Sequence, residues 1–250
     1  MDVKPVIIIG GFAATGSSSL AKKLSSSLDL KYIYAGYMMR QLCVERGYCS
    51  REEAFSDKFE GVYTEFSQRL LKDKSLNQEL DNKILEYIKT TTTPSCVEAR
   101  VAAALVTKEK IPVVIKIWVT ASIEDRVKRF RIKHPDTKLS DKEIKELLLQ
   151  RQESEIKQYK EQYGIDLSKP QLYNDLILDT SGLTLEESYF KFINHPLVRE
   201  RIKLLIPFYP NYDVVYRWKC LVCGYTYEGF VHVHICPKCG NIDESKFKDL

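Results

Sequence analysis

The chain has 250 residues, of which 44% are hydrophobic and 29% charged, and its formal net charge is +4. This is the composition of a globular protein with a substantial core, and so small a positive excess argues against a nucleic-acid partner. No apolar run reaches the length of a membrane span, and the first residues lack the pattern of a secretory signal, so we expect a cytoplasmic protein without a membrane partner.

The first predicted element is a short β-branched strand at residues 6–9, followed by a loop of small residues and a helix. From Gly11 onward the spacing is that of a P-loop, Gly-x-x-x-x-Gly-Lys-Ser/Thr, except that Ser17 stands in the lysine position. Backbone N–H groups of such a loop bind phosphate oxygens, and the hydroxyl of Ser18 can reach a nucleotide-bound Mg²⁺. The alternative is a tight turn in which a serine caps the helix. The predicted ATP phosphate-binding residues are Gly11, Ala14, Thr15, Gly16, Ser17, Ser18 and Ser19.

Further along the chain, apolar runs at residues 30–34, 95–99, 113–119 and 175–181 predict four more strands. The run at 113–119 is almost continuously apolar, which is typical of a central parallel strand covered on both faces. Helices are predicted at 37–46, in two or three pieces over 51–89, from Ser122, over about 140–163, and after Thr184, which begins a capping box. This alternation predicts a doubly wound α/β fold with ligands at the carboxyl ends of the strands.

The two helices that follow the run at 113–119 are rich in charged residues. The first carries Arg126, Arg129 and Arg131, and the second carries Arg151 and Glu155. One interpretation is a pair of solvated helices with ion pairs between residues four positions apart. The other is a cationic lid that closes over phosphate groups.

The last part of the chain contains its most specific motif, two Cys-x-x-Cys pairs that are each followed by glycine and separated by twelve residues. Four thiolates at this spacing predict a tetrahedral site for one zinc or iron ion, with Cys220, Cys223, Cys236 and Cys239 as ligands. The metal would supply most of the folding free energy of so small a module, about 10 kcal/mol or more. An odd total of seven cysteines, without an export signal, argues against a disulfide framework.

Taken in order, the motifs of residues 4–190 resemble those of the cytidylate kinases, of the compact kind without a long insert in the nucleoside monophosphate domain. The resemblance rests on the P-loop frame, Tyr32-Ile33-Tyr34-Ala35-Gly36 with Arg40 beyond it, Val97-Glu98-Ala99-Arg100, residues 117–121 leading to Arg126, Arg151 with Glu153-Ser154-Glu155, and residues 163–166 followed by 175–181. Each motif is weak alone, whereas their shared order is specific.

The resemblance implies a P-loop kinase, in which a parallel sheet is flanked by helices and covered by a helical lid. Such an enzyme transfers the γ-phosphoryl group of ATP, with Mg²⁺, to a pyrimidine nucleoside monophosphate, here CMP or dCMP. It implies that Arg40 and Arg100 hold the acceptor and that Arg126, Arg129 and Arg151 are catalytic. Guanidinium groups suit this role because they neutralise the transferring group and bind it in a bidentate manner.

Two departures from the family pattern are Ser17 and Ala99, which stands where glycine is usual before the arginine. We expect lid arginines that reach the donor phosphates to replace the lost ammonium. The alternative is a catalytically impaired nucleotide-binding regulator.

The tail from Trp218 resembles the rubredoxin-like ribbon of rubrerythrins, including the tryptophan before the first cysteine and Gly224-Tyr225 after the second. In that family the ion is iron and carries single electrons, whereas similar four-cysteine β ribbons hold zinc. A redox protein is therefore a further alternative, but the rest of the chain shows no di-iron motif to receive an electron. We expect a structural ribbon or one that binds a protein partner. The predicted domains are residues 1–193, a helix and linker at 194–215, and the ribbon at 216–250.

Overall fold

The structure is a computed structural model that describes residues 3–55, 74–208, 216–229 and 244–249. Its main sheet is formed by β1 at Lys4–Gly11, β2 at Lys31–Tyr34, β3 at Ser95–Glu98, β4 at Val113–Thr120 and β5 at Leu176–Asp179. The strands lie in the order β2-β3-β1-β4-β5, and all neighbours are parallel. The predicted parallel α/β fold is therefore confirmed.

Strand β1 lies at the centre of the sheet, and both of its faces are buried. Successive side chains of a strand point to opposite faces, so Val6 and Ile8 pack in one apolar cluster and Ile7 and Ile9 in another. All four residues are fully buried. A strand covered on both sides carries apolar residues without alternation, which explains why the run at 6–9 is continuous.

Helices cover both faces of the sheet. They are α1 at Ser17–Ser27, α2 at Ala35–Glu45, α3 at Arg51–Phe55, α4 at Lys74–Thr90, α5 at Ala102–Lys108, α6 at Ile123–Lys133, α7 at Asp141–Tyr163, α8 at Leu185–Ile193 and α9 at Pro196–Ile202. The predicted helices over 51–89 correspond to α3 and α4, and residues 56–73 lie outside the described part of the chain. None of the described helices combines the length and the apolar character needed to cross a membrane.

The ends of these elements coincide with capping signals in the sequence. Ser140 and Thr184 cap α7 and α8, and each forms a capping box with the glutamate three residues later; the box at Thr184 was predicted. Strand β5 ends at Asp179, within the strand and turn predicted at 175–181, because the backbone N–H of Ser181 donates to the Asp179 carboxylate at 2.9 Å. This side-chain interaction turns the chain after Asp179 and ends the strand.

The tail forms a separate antiparallel sheet of three strands, β6 at Tyr216–Cys220, β7 at Thr226–Gly229 and β8 at Phe247–Asp249, in the order β7-β6-β8. Trp218 on the central strand is 2% exposed, and its ring lies edge-on to Phe247 at a centroid distance of 4.6 Å. This confirms the small C-terminal β ribbon.

Candidate active site

The loop between β1 and α1, residues 12–16, is shaped by glycines at both ends and is called the phosphate loop below. A Cβ on Gly11 would lie 2.6 Å from Thr15 Oγ1 and 2.7 Å from the Val119 carbonyl oxygen, so only glycine fits there. Gly16 has a φ of +93°, in the left-handed region that glycine adopts without strain. The hydroxyl of Thr15 donates to the Phe12 carbonyl at 2.9 Å and closes the loop on itself.

The amino end of α1 differs from those of α6 and α7, which are called the lid below. Ser122 and Ser140 each cap a helix through a side-chain oxygen, whereas Gly16 precedes α1 without a side-chain cap. The first N–H groups of a helix have no partner within the helix and bind anions well. The amino end of α1 therefore offers backbone N–H donors to an anion, as the sequence of the phosphate loop predicts.

Ser17, in the lysine position, is 6% exposed and directs its hydroxyl toward Glu98 Oε1 at 3.4 Å. Glu98 ends β3, beside the phosphate loop, because β3 pairs with β1 in parallel register. Burial raises the pKa of Glu98, and the charge of Arg100 and the hydroxyls of Ser18 and Ser17 oppose that rise. Sequence reasoning assigned no role to Glu98, although an acidic residue at the end of a buried parallel strand was visible.

Arg100 lies two residues beyond β3 and contacts both the phosphate loop and the lid. Its Nε donates to the Gly11 carbonyl at 3.3 Å, and its Nη1 lies 2.5 Å from Glu155 Oε1 on α7. The same carboxylate oxygen accepts from Arg151 Nε at 2.9 Å. The Arg151 and Glu155 pair is the predicted interaction four residues apart, but Glu155 is only 7% exposed and is not part of a solvated face.

Arg126 on α6 is 5% exposed and holds the phosphate loop from the side of the lid. Its Nε donates to the Ala13 carbonyl at 2.9 Å, and its Nη1 donates to Gln152 Oε1 at 2.8 Å. Burial lowers the pKa of Arg126, the Glu155 carboxylate opposes this, and Arg100 and Arg151 reinforce it. Glu155 and the three arginines are therefore close enough to interact electrostatically.

Arg129, also on α6, uses both of its terminal nitrogens for structural hydrogen bonds. Nη1 donates to the Thr15 carbonyl at 2.7 Å and to Thr180 Oγ1 at 3.0 Å. Nη2 donates to the carbonyls of Thr180 at 2.7 Å and Leu183 at 3.2 Å. Each terminal nitrogen carries two N–H bonds, so these contacts use all four. This geometry favours a role in positioning the phosphate loop over the predicted direct catalytic contact.

The remaining predicted residues lie on α1 and α2. Ser18 and Ser19 are in the first turn of α1, with Ser19 exposed, and Arg40 is half-buried on α2, which follows β2. The structure thus gathers the phosphate loop, Arg100, Arg126 and Arg151 in one region and places Arg40 on the next strand connection.

Asp81 on α4 is a further buried acid that sequence reasoning did not identify. It is 4% exposed and accepts a hydrogen bond from the hydroxyl of Tyr163, at the end of α7, at 2.9 Å. Burial raises the pKa of Asp81 to about 7, although the Tyr163 hydroxyl and the charge of Arg100 act in the opposite direction. The contact joins α4 to α7 at one side of the cleft.

In the ribbon, the first Cys-x-x-Cys pair lies on a tight turn after β6. Gly224 N–H donates to the Cys220 carbonyl, and Cys220 N–H donates to the Tyr225 carbonyl, both at 2.8 Å. Two sulfur donors on one such turn suit a soft or borderline metal ion. Cys236 and Cys239 lie outside the described residues.

Comparison with known proteins follows the same division of the chain. Residues 218–248 match the rubrerythrin, rubredoxin-like domain. A cytidylate kinase of Methanocaldococcus jannaschii is 30% identical over 181 residues, which cover 72% of this chain and 91% of that protein. A cytidylate kinase of Methanopyrus kandleri is 29% identical over 194 residues, which cover 75% of this chain and 91% of that protein.

Among solved structures, an uncharacterized protein from Eubacterium ventriosum superposes with a TM-score of 0.53 at 11% identity, over 79% of this chain and 98% of that one, and shares the fold. The model of the cytidylate kinase-like family matches residues 6–182, well over half of the chain. The protein therefore belongs to the cytidylate kinase-like family and carries a rubredoxin-like domain at its carboxyl end.

Proposed function

We propose that the protein transfers the γ-phosphoryl group of ATP to a pyrimidine nucleoside monophosphate, with CMP and dCMP as the preferred acceptors. In this reaction the bond between the γ-phosphorus and the β–γ bridging oxygen breaks, and a bond to an acceptor phosphate oxygen forms. The observation that carries the proposal is the meeting of an uncapped, glycine-bounded phosphate loop with Arg100, Arg126 and Arg151. Membership of the cytidylate kinase-like family supports the same reaction class.

The phosphate loop and the first turn of α1 would hold the donor phosphates. The N–H groups of Ala14 and of Gly16 to Ser19 would provide hydrogen bonds without any side-chain charge, whereas the Thr15 N–H donates to the Phe12 carbonyl at 3.3 Å. Mg²⁺ would arrive with ATP, and the residues present fit it because the Ser18 hydroxyl and the Glu98 carboxylate offer the oxygen ligands that this ion prefers. Bound Mg²⁺ would neutralise part of the phosphate charge. Arg129 would hold the conformation of the loop through its hydrogen bond to the Thr15 carbonyl.

Arg100 would bind the acceptor phosphate, with Arg40 on α2 as a second contact, and Arg126 and Arg151 would stabilise charge on the transferring group. Phosphoryl transfer depends on positioning two anions in line and on neutralising their charge, and it needs no dedicated base. Arg126 on α6 already hydrogen-bonds to the phosphate loop, so the lid helices lie against the loop, where they would help to exclude water.

Ser17 supports one competing function, a nucleotide-binding regulator with impaired catalysis, because the loop offers no ammonium of its own to the β- and γ-phosphates. The charge of Lys133, at the end of α6, lowers the pKa of Glu98. Lys133 is therefore close enough to interact electrostatically with this residue beside the loop. We therefore propose that cations of the lid, rather than of the loop, neutralise the donor phosphates.

A coupled assay with ATP, Mg²⁺ and a panel of CMP, dCMP, UMP and AMP tests the proposal. We expect turnover with at least one pyrimidine acceptor and the highest kcat/KM with CMP or dCMP. Absence of turnover with every acceptor, in a protein that still binds ATP by calorimetry, would favour the regulator.

The Arg100→Ala substitution tests the acceptor site. Removing a guanidinium that binds a phosphate costs about 2–4 kcal/mol, so kcat/KM for the acceptor should fall by roughly 30- to 1,000-fold. The KM for ATP should stay near that of the wild type. Arg131→Ala, which removes an exposed lid arginine paired with Asp141, is the matched control and should leave both constants unchanged.

For the ribbon, we propose that Cys220, Cys223, Cys236 and Cys239 bind one zinc or iron ion and that the folded ribbon is structural or binds a protein partner. The described turn, with two cysteines three positions apart and a closing glycine, fits the first half of such a site.

A further inference from the structure

Glu155 belongs to one of the sequence motifs but has no assigned role beyond its ion pair with Arg151. It is a buried acid on the lid helix, and it lies among arginines that a phosphate-transferring enzyme needs for its substrates. A carboxylate in that position competes with phosphate for the same donors. Its contacts therefore bear on how the acceptor enters the site.

One oxygen of Glu155 contacts two arginines. Oε1 lies 2.5 Å from Arg100 Nη1 and 2.9 Å from Arg151 Nε. Within the described residues, Glu155 Oε2 is buried and accepts no hydrogen bond, and Arg126 Nη2 is buried and donates none. A buried polar atom without a partner costs about 1–3 kcal/mol, more for a charged group. The ligand-free site thus keeps unsatisfied groups of both signs.

The arginines explain why an acid is needed there. Arg100, Arg126 and Arg151 would repel one another in a partly buried site, and the charges of Arg100 and Arg151 lower the pKa of Arg126. A single carboxylate at their centre offsets this repulsion. However, Glu155 satisfies the arginines incompletely, since it contacts two of them through one oxygen and the third through none.

From this arrangement we propose that Glu155 is a positioning residue that takes the place of the acceptor phosphate in the ligand-free enzyme and is displaced when the acceptor binds. The proposal rests on the proposed function of Arg100. A phosphate carries more negative charge than a carboxylate and binds arginine through two parallel hydrogen bonds, so it replaces Glu155 on Arg100. The displaced carboxylate keeps its contact with Arg151 on α7.

The Glu155→Gln substitution tests this idea because it keeps the size of the side chain and removes its charge. If the contact between Glu155 and Arg100 is formed about nine-tenths of the time, it weakens apparent acceptor binding by about tenfold. Titration calorimetry with CMP in the absence of ATP should therefore give a Kd about tenfold lower for E155Q than for the wild type, with the Kd for ATP unchanged. The KM for CMP should fall in parallel, without a rise in kcat.

The control is Glu153→Gln on the exposed side of the same helix, which should leave both dissociation constants unchanged. Glu155→Asp retains the charge on a shorter side chain and should give an intermediate Kd, so it keeps the test open if E155Q loses its helical circular dichroism signal. A Kd for CMP that is equal to or higher than the wild-type value, in folded E155Q or E155D, would overturn the proposal and indicate that Glu155 only orients Arg100.

Inorganic phosphate separates this proposal from the proposed function. It should bind E155Q about tenfold more tightly than the wild type whichever nucleotide the enzyme uses. Tighter phosphate binding with no turnover on any acceptor would support the role of Glu155 and reject the kinase function. Turnover on CMP, with Kd values for phosphate and CMP that are the same in E155Q as in the wild type, would support the kinase function and reject the role of Glu155.

Discussion

At the residue scale, Ser17 shows how a motif with one substitution can keep its geometry. The loop closes through Gly11, Thr15 and Gly16, and none of these contacts involves the residue in the lysine position. Ser17 instead faces Glu98. A lysine there would meet a carboxylate whose charge is incompletely compensated by its surroundings.

We therefore expect Ser17→Lys to bind ATP as tightly as the wild type or more tightly, by up to about tenfold, and to retain at least the wild-type kcat. Calorimetry with Mg²⁺ and ATP measures the first value and the coupled assay the second. Ser19→Lys places the same charge on the exposed side of the first turn and should have little effect. Complete loss of activity in S17K would show that the serine has its own role in the loop.

Asp81 supplies a prediction about pH. Its pKa is raised from an ordinary 3.8 to about 7 in the folded protein, so the folded state binds the proton more tightly than the unfolded state. The stability that this proton provides is present below about pH 4 and is lost as the pH rises through 7. At about 1.36 kcal/mol per pKa unit, the loss is roughly 4 kcal/mol.

Asp81→Asn keeps an acceptor oxygen for Tyr163 and removes the titration. Urea unfolding should show D81N to be more stable than the wild type at pH 8, by up to about 4 kcal/mol, and the difference should shrink toward pH 4. Asp136→Asn, at an exposed position, should follow the wild type at every pH. Parallel pH profiles for D81N and the wild type would contradict the assignment.

At the scale of elements, the lid is defined by its helix ends as much as by its charges. Helix α7 spans 23 residues, begins with the capping box of Ser140 and Glu143, and ends at Gly164, whose φ is +66°. These signals place Arg151 and Glu155 in the middle of a rigid element. The side chains that meet Arg100 are therefore positioned by a helix rather than by a loop.

Ser140→Ala should destabilise the protein by about 1 kcal/mol, within a range of roughly 0.5–2 kcal/mol, because the backbone N–H of Glu143 loses its capping partner, the Ser140 hydroxyl. The free energy of unfolding in urea measures this cost. Ser154→Ala removes a serine from the middle of the same helix that only contacts the Gln150 carbonyl, and it should change stability by less than about 0.5 kcal/mol. Equal effects of the two substitutions would show that the cap contributes nothing specific.

At the scale of the whole molecule, the chain combines a nucleotide-binding α/β fold with a ribbon that differs from it in layer structure and in the source of its stability. The α/β part has two extended apolar clusters on either side of β1. The ribbon has a small cluster around Trp218 and Cys220. We expect a module of this size to depend on a bound metal for its folding.

Cys220→Ser should therefore reduce the metal content from stoichiometric to near zero and unfold the ribbon, while kcat and KM of the proposed reaction stay within about twofold of the wild type, since additivity holds for independent sites. Metal analysis and the coupled assay measure the two effects. Cys49→Ser, outside the ribbon, should retain the metal. Red colour that dithionite bleaches would identify iron, and a colourless protein zinc.

The sequence by itself determined the order of the elements, the phosphate loop and the helix caps, because these depend on residues close together in the chain. Periodicity, glycine spacing and helix caps act over a few positions, and the structure has the helix start at Ser140 and the Thr184 capping box where they were predicted. The ribbon could also be predicted from the sequence, because its cysteine spacing leaves little conformational choice.

Only the tertiary structure decided what the charged residues do. Arg126, Arg129 and Arg151 look alike in sequence, yet Arg129 holds backbone carbonyls, Arg126 holds the loop and Arg151 shares Glu155 with Arg100. Glu155 lies 55 positions from Arg100 in the chain, and no local pattern connects them. The physical reason is that the energy of a charge depends on its burial and on its neighbours in space, and both are set only when the lid packs on the sheet.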